Sequence, residues 1–245
     1  MNPSPYSQPF ASAHDRALIV KILLVVGAIV TGCSLVVEAI SLVFPPLTED
    51  QELGDNPMGL AVGLVMFLVA VLEILVYLAT VVFFCIWLYR SYANLRAFNP
   101  SRRLDSSPGM AVGSFFIPFA NLVLPYRAVK EVWQKSGPPD EALLSEPGPP
   151  AWFPIWWTFW LLSTFAGNIS LRVSFDENVG EQAATVISIV ASALSVVAGL
   201  LAYMVVDLID DRQEETSGKM RLGKFSGPPP PQTNVPMSEV VAPMS

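Results

Sequence analysis

GMAVGSFFIPFANLVLPY, from Gly109 to Tyr126, is the stretch on which the architecture of this chain turns. It is apolar, but Pro118 and Pro125 interrupt it, and it falls short of the roughly 20 apolar residues a helix needs to cross a bilayer. Arg90, Arg96, Arg102 and Arg103 precede it, and Arg127, Lys130 and Lys135 follow it. A crossing here would place these two basic groups on opposite sides of the membrane, against the rule that Lys and Arg stay cytoplasmic. The stretch is therefore expected to be a broken hairpin dipping in from the cytoplasmic face, or a segment lying along that face. The following AVKEVWQ, residues 128–134, reads as a short amphipathic helix at the surface.

Working outward, four other stretches are long and apolar enough to be read as spans. They run from Ala17 to about Phe44, ended by Pro45 and Pro46; from about Met58 to Tyr89; from Trp152 to about Val173; and from Gln182 to about Ile209. The connection between the first two carries Glu49, Asp50, Glu52 and Asp55 and no basic residue. The connection between the last two carries Asp176, Glu177 and Glu181 beside a single Arg172. Thirteen of the 14 Lys and Arg residues thus fall on one side, which the positive-inside rule makes cytoplasmic. Composition agrees: 52% of the residues are hydrophobic and only 14% charged, against about 25% charged in soluble domains. The net charge of −7 argues against nucleic acid as a partner.

The expected fold is therefore an all-α membrane protein with four transmembrane helices and a cytoplasmic-side re-entrant or interfacial helical segment. Residues 1–16 read as a disordered cytoplasmic tail, residues 17–212 as the membrane domain with its broken segment at 108–135, and residues 213–245 as a disordered, Pro-rich cytoplasmic tail. Aromatic clusters (Trp87, Tyr89 and Tyr92; Trp152, Trp156, Trp157 and Trp160) fall at the expected cytoplasmic boundary. Val30-Thr31-Gly32-Cys33 resembles a lipoprotein cleavage box, but an apolar run follows it where a polar tether belongs. Cys33 and Cys85 read as buried small hydrophobes, and His14 as a solvated bystander.

A family resemblance emerges around the central stretch. Trp87-x-Tyr89-Arg90-x-x-x-Asn94-Leu95 precedes Ser107-Pro108-Gly109-x-Ala111-Val112-Gly113-x-Phe115-Phe116-Ile117-Pro118-Phe119-Ala120-Asn121-Leu122-x-x-Pro125. Val129-x-Glu131-x-Trp133 and, later, Asp211-Arg212-Gln213-Glu214 follow. From the first helix to about Glu215, the chain resembles the bacterial membrane family catalogued as domain of unknown function 4328. The resemblance implies a multi-pass fold in a bacterial cytoplasmic membrane and no particular activity. Asp207 and Asp210-Asp211 depart from it, standing where a more basic stretch is expected.

Ionisable groups inside spans are costly and usually have a partner or a purpose. Glu73, near the middle of the second span, is the most costly; it reads either as a proton or cation site or as a packing residue hydrogen-bonded to Asn121 or Asn168. Glu38 and Arg172, with Asn168 at similar depth, are expected to pair across the first and third spans. Arg90 and Arg127 are candidate contacts for anionic headgroups. Ser188, Ala191, Ser192, Ser195, Ala198, Gly199 and Ala202 form a small-residue stripe suited to close helix contact, inside the chain or with a homo-oligomer or membrane partner. No metal-spaced His/Cys set, Ser-His-Asp arrangement or phosphate loop is present, so no catalytic residue, metal or cofactor is expected. The leading expectation is a non-enzymatic membrane binding or scaffold module embedded in the lipid bilayer. A subunit of an oligomeric transporter or channel using Glu73 comes second, and a lipid-handling enzyme last.

Overall fold

The computed structural model describes residues 10–43, 57–99, 103–138, 148–176 and 178–221. Every regular element among them is helical. Helix α1 is His14–Ser41, α2 Pro57–Phe98, α3 Pro108–Gly113, α4 Leu124–Lys135, α5 Phe153–Val173 and α6 Glu181–Arg221, with a 3-10 turn at Ala120–Leu122 between α3 and α4. The expected stops at Pro45 and Pro46, the acidic loop around Glu49, and most of both tails lie outside the described residues.

Among the described residues three helices, α1, α2 and α6, are long and apolar enough to cross a membrane. With 42 residues, α2 is about 63 Å long, twice the bilayer core, so its last turns project beyond any span. Large hydrophobic side chains such as Phe67, Leu68, Ile74, Tyr77 and Leu78 are all more than half exposed, as a helix surrounded by lipid requires. At 21 residues, or about 31 Å, α5 has the length of a span. Its tryptophans, Ser163, Thr164 and Asn168 dilute its apolar character, and it is not among the three.

Interhelical pairs set the topology. Lys21 meets Asp207 and Glu38 meets Ser188, so α1 and α6 run antiparallel. Ser34 meets Glu73, and a Cβ at Gly27 would lie 3.7 Å from Val76, so α1 and α2 run antiparallel as well. α5 packs on α6. The long helices therefore stand in the row α2–α1–α6–α5, with the first helix in the interior of the row.

The two ends of this row differ. At one, called here the capped end, α3, the 3-10 turn and α4 close over the start of α1, the end of α2, the start of α5 and the last third of α6. The hydrophobic core gathers there: Val20, Trp87, Leu88, Tyr92, Val129, Val132, Phe153, Trp156, Val205, Val206 and Ile209 are at most 2% exposed. Among the described residues the opposite, open end has no such core. Val36, Leu68, Phe165, Ile169 and Val190 all lie outward there, each more than half exposed.

Several boundaries differ from the sequence reading. Residues 14–16 are already helical, and α6 continues to Arg221, past the expected limit at Arg212, because Gln213, Thr216 and Ser217 are buried against the cap. AVKEVWQ forms most of α4, but its apolar face (Ala128, Val129, Val132, Trp133) is buried in the protein core rather than laid on a membrane surface. Cys33 is exposed on α1, and Cys85 is half-buried.

Candidate functional site

Two carboxylates stand in the apolar part of the row, each answered by a serine. Ser34 of α1, 8% exposed, donates to Glu73 Oε1 at 2.8 Å. One helical turn further along α1, Glu38 Oε1 accepts from Ser188 of α6 at 2.5 Å, while its Oε2 is buried without a hydrogen-bond partner. Glu73, Ser34, Glu38 and Ser188 thus form a polar line across α2, α1 and α6. A serine hydroxyl bonds a carboxylate in either protonation state, so each pair orients its carboxyl without requiring a charge in the membrane.

The partners expected from sequence are not the ones observed. Arg172 and Asn168 sit on α5, beyond α6 from α1, so Arg172 does not reach Glu38 and makes no ion pair among the described residues. Asn168 is exposed and bonds the Thr164 carbonyl of its own helix at 2.7 Å. Asn121 lies in the turn at the capped end, whereas Glu73 stands fourteen residues, about 21 Å of helix, from Trp87 toward the open end. Asn121 Oδ1 is buried and unpartnered. Within the small-residue stripe, Ala191, Ala198 and Ala202 are buried inside the chain, while Ser195 is exposed.

The larger concentration of polar groups is at the capped end, where three networks tie the elements together. In the first, Gln213 Nε2 donates to the Ser91 carbonyl and to Ser136 Oγ, both at 2.9 Å, while its Oε1 accepts from Asn94 Nδ2 at 3.2 Å. Thr216 donates to the Ser136 carbonyl at 2.8 Å. Asn94 also grips the main chain of Ala11, donating to its carbonyl at 3.0 Å and accepting from its N–H at 3.4 Å. In the second, the Glu131 carboxylate accepts from the Tyr92 hydroxyl, from Asp105 N at 2.7 Å and from Lys135 at 2.5 Å, and Tyr92 in turn accepts from Ser106 N at 3.0 Å. This network clamps the approach to α3 onto α2 and α4. In the third, Lys21 bridges Asp207 at 2.9 Å and Asp210 at 3.5 Å, and His14 Nδ1 meets Asp210 at 2.9 Å. Asp207 and Asp210, two of the acidic residues that departed from the expected pattern, thus hold the start of α1, and His14 is exposed as expected but has Asp210 as a partner.

The two headgroup candidates part company. Arg90 Nε donates to the Ala11 carbonyl at 3.1 Å and so helps to secure the N-terminal segment. Arg127 is exposed, and no side-chain partner is present for it among the described residues. Around the cap the aromatic rings interlock: Trp157 stacks on Trp160 at 4.5 Å, and Phe115 stands edge-on to both. Arg212 lies over Trp133 at 4.6 Å. Among the described residues no group of three or more His, Cys, Asp or Glu could hold a metal ion.

Tyr92, Glu131, Lys135 and Gln213, the central members of the cap networks, were not singled out as candidate site residues from sequence. The one local signal was the Glu131/Lys135 spacing of four, which on its own reads as a solvated pair.

The chain belongs to the family described as Domain of unknown function (DUF4328), which matches residues 53–211. The match begins a few residues ahead of α2 and leaves α1 outside it. No curated protein and no solved structure matches the chain.

Proposed function

We propose that this member of the DUF4328 family is a non-enzymatic membrane module that binds or scaffolds a partner at the cytoplasmic face of a bacterial membrane. In this reading the chain crosses the bilayer four times, α5 being the fourth span, with the capped end and both termini in the cytoplasm. Thirteen of the 14 basic residues support that orientation. The observation that carries the reading is the cap itself: Asn94, Gln213, Ser136 and Thr216, and Lys21 with Asp207 and Asp210, answer one another across α1, α2, α4 and α6, which makes a fixed surface. The lipid bilayer is one partner. A second copy or another membrane protein would meet the stripe at exposed Ser195, since the alanines of the stripe are occupied within the chain.

The test is cross-linking in native membranes with mass spectrometry of the adducts, repeated on Gln213→Leu, which loosens the cap. A recurrent partner mapping to the capped end, and fading in the variant, supports the reading. Turnover of a lipid by the purified chain, or adducts only with the most abundant membrane proteins, sinks it. Orientation is tested separately with single cysteines at Ser12 or Asn178 in a chain carrying Cys33→Ser and Cys85→Ser. An impermeant maleimide applied outside should label position 178 alone.

A second reading, a subunit of an oligomeric transporter or channel, draws on one observation: Glu73 and Glu38 flank Ser34 on facing helices. Proton or cation flux into vesicles that disappears in Glu73→Gln would replace the first reading with this one.

A further inference from the structure

Between α3 and α4, Ser114 and Phe115 face the core, whereas most of the side chains that follow point away from the protein. Phe116 is 65% exposed, Ile117 42%, Phe119 87%, Leu122 39% and Val123 47%. Phe119 has φ 64, in the left-handed region that a bulky side chain rarely adopts. At 87% exposure its ring gains almost nothing from the rest of the chain in return. A contiguous apolar surface of this kind marks an interaction site.

The backbone says what kind of site it is. The amides of Phe115 and Phe116 donate to Val112 and Gly113, and those of Asn121, Leu122 and Val123 to Ile117, Phe119 and Ala120, all at 3.0–3.2 Å. The Ala120 amide bonds Pro118 O at 2.7 Å, and Pro118 itself has no N–H. The amides of Ile117 and Phe119, at the tip, have no partner among the described residues, so the turn closes most but not all of its amides, as suits a segment at the shallow, headgroup-side edge of a bilayer rather than its centre. Its level is fixed as well. Trp157, itself buried, donates Nε1 to the Leu122 carbonyl at 2.9 Å and so ties the turn to the start of α5, where the partly exposed Trp152 and Trp160 suit the headgroup level of a bilayer. With only six residues in α3 and three in the 3-10 turn, the excursion is shallow. One turn beyond exposed Val123, whose carbonyl accepts from the Arg127 N–H at 3.2 Å, the Arg127 side chain stands exposed and unpaired among the described residues. A guanidinium matches the oxygens of a phosphate in a two-point bond.

We propose that residues 116–123 form a wedge inserted into one leaflet, and that Arg127 beside it binds the phosphate of an anionic phospholipid in that leaflet. This rests on the reading of α1, α2 and α6 as spans. Phe119 and its neighbours enter the upper acyl region, the tryptophans mark its boundary, and Arg127 selects for headgroup charge. The occupant is lipid rather than a second copy, because most of the amides are closed off within the turn and the exposed cation adjoins the apolar surface, the pairing that an acyl region and its phosphate present together.

The experiment places a benzophenone amino acid at position 119 of the full chain, reconstituted in phosphatidylcholine vesicles with a minority of phosphatidylglycerol. Illumination is followed by mass spectrometry. The same probe at Ile29, 60% exposed in the middle of α1, reports on the span itself. Position 119 should yield phospholipid adducts, with phosphatidylglycerol enriched about fivefold over its bulk share. In Arg127→Gln the adducts should remain while the enrichment falls to the bulk ratio. Protein–protein adducts at 119, or none, with lipid adducts at 29, overturn the wedge and leave the spans standing. No lipid adduct at 29 overturns the membrane reading itself. Adducts at 119 whose lipid ratio ignores Arg127 overturn the headgroup assignment.

Discussion

Replacing Gln213 by Leu keeps the volume near constant and deletes three hydrogen bonds at the centre of the cap, those to the Ser91 carbonyl, Ser136 Oγ and Asn94 Nδ2. Two of the deserted groups keep another partner: Ser136 still donates to the Val132 carbonyl, and Asn94 to that of Ala11. The loss is then close to the net value of the bonds themselves, about 1 kcal/mol each and roughly 3 kcal/mol in all. For a chain of this size that corresponds to a fall in Tm of about 6–12 °C. Intrinsic tryptophan fluorescence in detergent reads it, since Trp133 and Trp156 lie in the same core. Ser195→Leu, exposed on the same helix, should shift stability by no more than about 0.5 kcal/mol. Asn94→Leu combined with Gln213→Leu should cost about 1 kcal/mol less than the sum, because their shared bond is lost once. A Gln213→Leu protein melting within about 2 °C of the parent would show that this network does not hold the cap together.

Other expectations follow from the same geometry. Glu38→Leu and Ser188→Ala should be non-additive by about 1 kcal/mol in thermal denaturation, while Glu38→Gln and Arg172→Gln should add within about 0.5 kcal/mol; a coupled Glu38/Arg172 cycle would contradict the helix order α2–α1–α6–α5. Tyr92→Phe removes the hydroxyl shared by Glu131 and Ser106 and should lower stability by about 2–4 kcal/mol, with early proteolysis at residues 103–107 as a local readout. Gly27→Ala should be tolerated, since its Cβ meets Val76 at an ordinary 3.7 Å, whereas Gly27→Leu should force α1 from α2 at about 1–3 kcal/mol, seen as reduced yield of folded protein.

What could be read in advance divides along physical lines. The long helices were legible because apolar runs such as residues 58–86 report their own surroundings: the helix is hydrophobic on every side, and no partner is needed to say so. Glu73 was legible as a cost for the same reason. Its partner was not, because the meeting of Ser34 with Glu73 depends on the register between two helices, which no local pattern encodes. The cap networks were hidden more thoroughly. Gln213 sits in DDRQEE, a run indistinguishable from a solvated helix end until α2 and α4 close over it, and Glu131 with Lys135 looks like an ordinary surface pair. The extension of α6 to Arg221 was missed because hydropathy ends before the helix does; Lys219 and Glu215, 2.5 Å apart, continue it in water.

The row order has a consequence for how the protein is made. α1, made before the other described helices, stands in the interior of the row and draws four of its five interhelical polar pairs from α6. Until α6 emerges, Lys21 lacks Asp207 and Asp210, and Glu38 lacks Ser188. The nascent chain must therefore keep a charged, half-assembled helix in the bilayer throughout the synthesis of α2 to α5. A chain arrested before α6 leaves Lys21 and Glu38 without those partners, so α1 is the helix most dependent on the completion of synthesis.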